Sequence, residues 1–385
     1  MKIHKVLLMR LEDFLEQKGS EYAHFDPKRA PAILHFLPHL SHLRCKIIHI
    51  VGTNGKGSVG RFLSLLLRQR GLNVGHFSSP HLLYFNERFW LNGRNVSLEE
   101  LDRAFLSLNP KILQEASYFE VLTFLALEVF RECDYFVCEA GLGGEFDSTT
   151  TCIKPILTLF TSISLDHQEF LGESLEAIAR TKLNAMSKRA ILGIQSFSCV
   201  VKIAKEVAES KKTQLSVLDS KDISEAIKQY CFKNAYPKYQ QENLALAYYA
   251  FEDLGYRGDI PNLPRLDLQG RMQQVFSNVW VDVAHNVGGA KAILENFSKD
   301  KYILVYNSYK DKDPKAILEV LKPIIQSVEI FVLNHPRIIP KEDLEQILKI
   351  LEIPYREFSF LKEKEKYLVC GSFSVGGEFL RRFRI

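Results

Sequence analysis

The chain has no Cys-x-x-Cys pair, no apolar run long enough to span a membrane, no basic arm and no tandem repeat. Its seven cysteines, at 45, 133, 138, 152, 199, 231 and 370, follow no paired spacing. That argues against a zinc site or a disulfide framework and for a reducing compartment. After Met1 to Lys5 the only early apolar run is Val6 to Met9, too short for a signal-peptide core. A cytoplasmic protein with no membrane partner is therefore expected. Lys plus Arg number 50 and Asp plus Glu 46, a formal charge of +4 spread along the chain, so no nucleic-acid partner is expected either. Hydrophobic residues at 46% and charged residues at 25% are globular values, which exclude a disordered, collagen-like or coiled-coil chain. The length of 385 residues exceeds one ordinary core, and two domains are expected.

From about residue 46, short β-branched runs alternate with amphipathic segments, the pattern of a parallel sheet flanked by helices. Strands are predicted at Lys46 to Val51, Asn73 to Phe77, Asp134 to Glu139 and Ile156 to Ile163. A helix over Val59 to Arg70 carries Phe62, Leu65 and Leu66 at helical spacing and ends at Gly71. Ser97-Leu98-Glu99-Glu100 has capping-box spacing and opens another, and further helices are predicted over Ser174 to Met186 and 239–254. Pro261 and Pro264 punctuate a polar stretch, after which a second series begins: strand 279–283, helix 288–298, strand 302–306. The domain boundary is placed at 265–271.

The strongest chemical signal is Gly52-Thr53-Asn54-Gly55-Lys56-Gly57-Ser58, between the first predicted strand and the helix after it. Glycines let backbone N–H groups turn toward phosphate oxygens, and a helix N-terminus adds positive potential. A lysine reaches the terminal phosphates and a hydroxyl binds magnesium. The usual loop has Ser or Thr directly after the lysine; here Gly57 intervenes. Glu139 follows a predicted strand and should project where open α/β folds bind ligands, as a magnesium ligand.

The run Ile48 to Ser58 closely resembles the phosphate loop of the folylpolyglutamate synthase and dihydrofolate synthase family of the Mur ligase superfamily, and the resemblance extends over most of the chain. Ser78-Ser79-Pro80-His81-Leu82, then Phe85-Asn86-Glu87-Arg88, resembles that family's folate-side loop and the strand after it. Phe119-Glu120 with Leu122-Thr123-Phe124 resembles the segment beside the pterin pocket. Asp166-His167 resembles the family's metal-side pair, Gln269-Gly270-Arg271 its Gly-Arg step, and Trp280 to Asn286 its Asp-Gly-Ala-His-Asn-Pro segment.

The resemblance implies an α/β fold: a P-loop Mur-ligase-type domain with a mainly parallel sheet (1–264), a linker (265–271), and a smaller Rossmann-like domain (272–385) that binds glutamate and closes the cleft. It implies ATP and Mg²⁺ as cofactors, with Ser58, Glu139 and His167 holding metal. Gly52 to Ser58, Asn243, Arg271 and Asp282 would bind ATP; Ser79, Pro80, His81, Arg88, Phe119 and Ser372 would bind substrate. Lys56, Lys182 and His285 would be catalytic, Lys182 as a carbamylated lysine. The partners implied are small molecules: dihydropteroate or folate, L-glutamate and ATP, acted on by a monomer. The implied reaction joins glutamate to dihydropteroate, to folyl(poly)glutamates, or to both, through an acyl phosphate.

Four departures from the family pattern stand out. Thr181-Lys182-Leu183-Asn184 replaces Glu-Lys-Ala-Gly, Glu145 replaces an arginine near the acceptor side, and Val283 and Val287 replace glycine and proline. The run Lys310 to Asp313 matches a family landmark, although such alternating charge is more often a solvated face. A cell-wall Mur ligase is the nearest rival; with 51 residues before Gly52 there is too little chain for its nucleotide-sugar domain. A nucleotide switch lacks its Asn-Lys-x-Asp segment here. A ligase-like chain with a different acceptor or no turnover, and a member with one synthase activity, stay open.

Overall fold

The computed structural model describes residues 10–19, 26–40, 43–297 and 300–385. The run Val6 to Met9, and Ser298 at the end of a predicted helix, lie outside the described residues. The first sheet has eight strands: β1 (Lys46–Val51), β2 (Val74–Phe77), β3 (Phe89–Leu91), β4 (Arg94–Asn95), β5 (Tyr135–Glu139), β6 (Leu157–Phe160), β7 (Arg189–Leu192) and β8 (Gln214–Val217). Their spatial order is β4-β3-β2-β5-β1-β6-β7-β8, and β3 and β4 alone run antiparallel to their neighbours. All of β5 is buried, and so is β1 beyond Lys46, so these strands read as near-continuous apolar runs rather than alternating ones.

One face of this sheet packs Phe77, Phe89, Phe124 and Phe136; the other packs Ile48, Ile50, Phe62, Leu66 and Val137. Each such side chain contributes about 1.5–3 kcal/mol by leaving water. The helix Lys56–Gln69 lies on the second face against the helix Lys238–Asp253. The capping box at Ser97 forms as read, with Glu100 donating its amide to the Ser97 hydroxyl (3.2 Å) and its carboxylate accepting from the Ser97 amide (2.8 Å). An equivalent box at Ser117 and Glu120 starts the helix Tyr118–Phe130.

The second sheet has six strands: β9 (Gln273–Phe276), β10 (Val279–Val281), β11 (Tyr302–Tyr306), β12 (Ile325–Ile330), β13 (Tyr355–Glu357) and β14 (Tyr367–Cys370). They are ordered β13-β12-β11-β14-β10-β9, parallel except for β9. Two predicted elements differ from the structure. Phe85–Arg88 forms a 3-10 turn instead of a strand, because Glu87 draws three preceding backbone amides onto its carboxylate; the strand begins at Phe89. Strand Ile156–Ile163 narrows to Leu157–Phe160, because residues after Phe160 turn to bind the phosphate loop: Thr53 and Asn54 both donate their amides to the Ser162 carbonyl, at 2.9 and 3.4 Å. Among the described residues no helix is long and apolar enough to cross a membrane.

Candidate active site

The carboxyl ends of β1, β5 and β6 open into a cleft of about 1740 Å³ that the second lobe covers. Gly52 to Ser58 leave β1 and enter the helix Lys56–Gln69. Gly55 takes φ +91°, and a Cβ there would strike the amide of Asn243, so glycine is required twice over. Asn243 in turn donates to Gln240 (3.1 Å), and Gln240 donates to the Ser58 hydroxyl (3.2 Å), so the helix Lys238–Asp253 braces the loop. The Lys56 ammonium bends back over the loop carbonyls of Gly52 and Thr53, at 3.4 and 3.3 Å, and lies 3.7 Å from Glu139.

Glu139 is buried at the end of β5, and burial raises its pKa against the opposing pull of Lys56, the Ser79 amide and Arg271. That amide donates to Glu139 at 3.3 Å, which ties the Ser79–Pro80–His81 loop to the phosphate side of the cleft. His81 accepts from Arg88 (2.9 Å), and burial followed by the Arg88 charge lowers its pKa to about 4. Phe119 seats its ring where a side chain on Gly141 would otherwise stand.

Lys182 is only 3% exposed, with its ammonium 3.1 Å from the Gly52 carbonyl and 3.5 Å from that of Gly143. Burial, reinforced by nearby Lys56, lowers its pKa to about 7. Its helix, Leu175–Leu183, sits so close to the Gly141–Gly144 loop that a Cβ on Gly144 would meet the Lys182 backbone. Thr181 and Glu145 are neighbours there: the Glu145 amide donates to the Thr181 carbonyl (2.8 Å), and Asn184 donates to the Glu145 carboxylate (2.7 Å). Glu145 is absent from the cleft wall, so its charge faces Asn184 and not the acceptor side as the sequence suggested. Two departures from the family pattern thus contact each other.

Asp166 gathers groups from both lobes. It accepts from Lys312 (2.6 Å), Asn286 (2.9 Å) and the His167 amide (2.9 Å), with His285 Nε2 at 3.6 Å. Burial opposes its ionisation, yet its neighbours His285, His167 and Lys312 hold its pKa well below the usual carboxylate range. His167, in left-handed conformation, has its pKa lowered to about 3 by burial and presents a neutral imidazole. The amides of Asn286 and Asn54 donate to each other reciprocally at 3.1 Å. His285 donates Nδ1–H to the Val283 carbonyl (2.9 Å), since a carbonyl can only accept, which leaves Nε2 facing Asp166.

Of the residues singled out from the sequence, Gly52 to Ser58, Ser79, Pro80, His81, Arg88, Phe119, Glu139, His167, Lys182, Asn243, Arg271, Asp282 and His285 all line this cleft. Asp282 has both oxygens engaged, by Tyr239 (3.1 Å) and the amides of Met272 and Ala284 (2.8 Å each). Ser372 is a correction: it is wholly buried, off the cleft wall, and its hydroxyl caps the helix Phe373–Phe383 by accepting from the Val375 amide (3.1 Å). Lys312 is a second correction. Far from lying on a solvated face, its side chain is 5% exposed in a buried ion pair. Asp26 and Arg29, which the sequence did not single out, also line the cleft, and Arg29 pairs there with Glu120 at 2.7 Å.

Among the described residues no cluster of three or more His, Cys, Asp or Glu side chains could hold an ion by itself. The three residues that the resemblance assigns to metal all line the cleft and offer one carboxylate (Glu139), one hydroxyl (Ser58) and one neutral imidazole (His167). That sparse set suits an ion completed by phosphate oxygens and water, as Mg²⁺ with a nucleotide is.

The Mur ligase middle domain model matches residues 50–250. The chain superposes on the crystal structure of Helicobacter pylori folylpolyglutamate synthetase with a TM-score of 0.79 and 40% identity, over 97% of this chain and 98% of that one. It is 30% identical, over 372 residues, to the dihydrofolate synthase/folylpolyglutamate synthase of Buchnera aphidicola, covering 87% of this chain and 88% of that protein. The bifunctional synthase of Yersinia pestis, solved with manganese, AMPPNP and L-glutamate bound, shares the fold at a TM-score of 0.81 and 24% identity, over 98% of this chain and 99% of that one. The chain belongs to the Mur ligase superfamily, in its dihydrofolate synthase/folylpolyglutamate synthase family.

Proposed function

We propose that the protein is an ATP-dependent ligase that adds L-glutamate to the carboxylate of dihydropteroate and to the terminal glutamate of folyl(poly)glutamates. The observation that carries this reading is the convergence, in one cleft, of the phosphate loop with Lys56, the buried Glu139 and the Ser79–His81 loop bonded to it. A free carboxylate is a poor electrophile, so it is first phosphorylated: its oxygen attacks the γ-phosphorus and ADP leaves. The glutamate amine then attacks the acyl carbon, loses a proton and expels phosphate.

The loop amides and Lys56 neutralise charge on the transferring phosphoryl group, the main contribution a protein makes to this chemistry. Mg²⁺, held by Ser58, Glu139 and His167, would screen the phosphate oxygens when bound. Arg271 supplies a permanent cation beside Gly57 and Glu139. Lys182, with a pKa near 7, has a reactive neutral amine fraction at physiological pH, as formation of a carbamate requires. Residues 265–271 act as the hinge between a domain of residues 1–264 and one of 272–385, and closure about it excludes water from the acyl phosphate. His285 and the second lobe face the incoming amine.

The test is phosphate release from ATP with the purified enzyme, assayed with dihydropteroate or a reduced folate monoglutamate in parallel, and products identified by mass. Release that requires glutamate and an acceptor together, with a mass gain of one glutamyl residue, is expected. Equal release without either substrate would refute the reading.

A further inference from the structure

Glu87 lies outside the cleft wall, yet its carboxylate accepts three consecutive backbone amides: Leu82 on Oε2 at 2.8 Å, and Leu83 and Tyr84 on Oε1 at 2.9 and 2.8 Å. A carboxylate is an acceptor with two oxygens and room for about four bonds, so it can take three converging N–H groups without presenting any donor. The turn it holds has contacts in two directions. Toward the first lobe, the same loop sends the Ser79 amide to Glu139 and the His81 ring to Arg88. Toward the second lobe, Leu82 is buried in the apolar cluster of Val281, Val283, Val375 and Phe379, beside Gly270 and Gly376. A side chain on Gly377 would collide with the Leu82 carbonyl, so the loop rests directly on the second-lobe helix.

We propose that Glu87 is a positioning residue: by clamping Leu82, Leu83 and Tyr84 it sets the spacing between the Ser79–His81 end of the loop and the Leu82 plug in the second lobe. This rests on the reading that Ser79 to His81 face the acceptor. Glutamine at 87 keeps the shape but puts an NH₂ group where one oxygen stood, opposing an amide N–H with another donor. The clamp bonds Leu82, Leu83 and Tyr84 and not the phosphate loop, whose side of the cleft this segment reaches through the Ser79–Glu139 hydrogen bond, so its loss acts chiefly on acceptor binding.

The experiment has two arms. In the first, hydrogen exchange is measured on the unmodified protein and on Glu87→Gln, both without substrates. The amides of Leu82, Leu83 and Tyr84 are expected to exchange at least 100-fold more slowly than free-chain rates in the unmodified protein, and at least 10-fold faster in the variant than in the parent. In the second, steady-state kinetics of Glu87→Gln and Leu82→Ala are expected to show an acceptor KM raised about 10-fold with the ATP KM within twofold of the parent. Free-chain exchange at the three amides of the unmodified protein, or a parallel rise in both KM values, overturns the proposal. The exchange measurement on the unmodified protein needs neither substrates nor a variant that folds. A parent enzyme that turns over no folate acceptor would therefore refute the functional reading and leave the clamp to be decided by exchange.

Discussion

Replacing Lys182 by methionine should make the unliganded protein more stable in mild acid while removing its activity. The ammonium is 3% exposed and has two carbonyls for company. Burial, with Lys56 adding repulsion, lowers its pKa from 10.5 to about 7. At about 1.4 kcal/mol per pH unit, keeping it charged in the fold costs at most about 5 kcal/mol. Methionine has a similar shape and no charge, but it leaves the Gly52 and Gly143 carbonyls without that donor, at about 1 kcal/mol each. The net gain expected at pH 6 is about 2–3 kcal/mol.

The pH dependence carries the diagnosis. Below pH 7 the lysine is protonated in both folded and unfolded chains, and the whole penalty is present. Between pH 7 and 10.5 the unfolded chain keeps the proton that the folded one releases, so the unmodified protein gains stability as pH rises. By pH 9 the remaining penalty is about 2 kcal/mol, close to the cost of the two bared carbonyls, and the variant's advantage should vanish. Urea unfolding of both proteins at pH 6 and pH 9 measures this directly. A stability difference identical at the two pH values, or a variant less stable at pH 6, would refute the electrostatic account.

Four further outcomes follow from the cleft. Lys56→Ala should reduce phosphate release by at least about 1000-fold while leaving acceptor binding measurable by calorimetry, because the lysine lies on the phosphate side only. Gly55→Ala places a side chain at φ +91° against Asn243, which should raise the ATP KM by about 10-fold or more, read from initial rates. Chelation of divalent ions should abolish turnover, and added Mg²⁺ should restore it in proportion to nucleotide, since the described protein donors are too few to hold an ion alone. Lys312→Met leaves Asp166 buried without its closest cation, at a cost of about 3–5 kcal/mol, and should separate the lobes enough to enlarge the radius of gyration seen by small-angle scattering.

Much of the first lobe was legible because its signals are local. The phosphate loop is seven consecutive residues whose chemistry depends on order, and β1, the helix after it and the Ser97 box are set by short-range pattern. The buried role of Lys312 was not, for a physical reason. Alternating Lys and Asp looks the same on a solvated face and in a buried pair, and only the placement of Asp166, 146 positions away, decides between them. Ser372 misled in the opposite way. A serine before a helix satisfies the N-cap rule, and the local demand of the Val375 amide accounts for the residue without any ligand. Glu145 could not be read either, since its partner Asn184 reaches it only through the packing of two glycine-rich segments.

The contacts between the lobes explain how such a cleft can open. Two junctions are polar, the reciprocal Asn54 and Asn286 amides and Lys312 on Asp166, while Asp267 of the linker is held to the first lobe by Arg61 and by the Trp90 indole at 3.0 Å. The amide pair can exchange for water at about 0.5–1.5 kcal/mol per neutral hydrogen bond, and the Lys312 and Asp166 ions regain hydration that offsets their lost attraction. Leu82, by contrast, loses its apolar contacts when the second lobe leaves, a cost of about 1.5–3 kcal/mol. The linker anchor on Arg61 belongs to the first lobe, so the proposed hinge narrows to the residues after Asp267, where Gly270 and Met272 both take positive φ. Arg271 stands between those two positions, and any swing of the second lobe therefore moves its guanidinium relative to Gly57 and Glu139. Under the proposed function, opening the cleft would take that cation from the phosphate site and the Leu82 plug from the second lobe together.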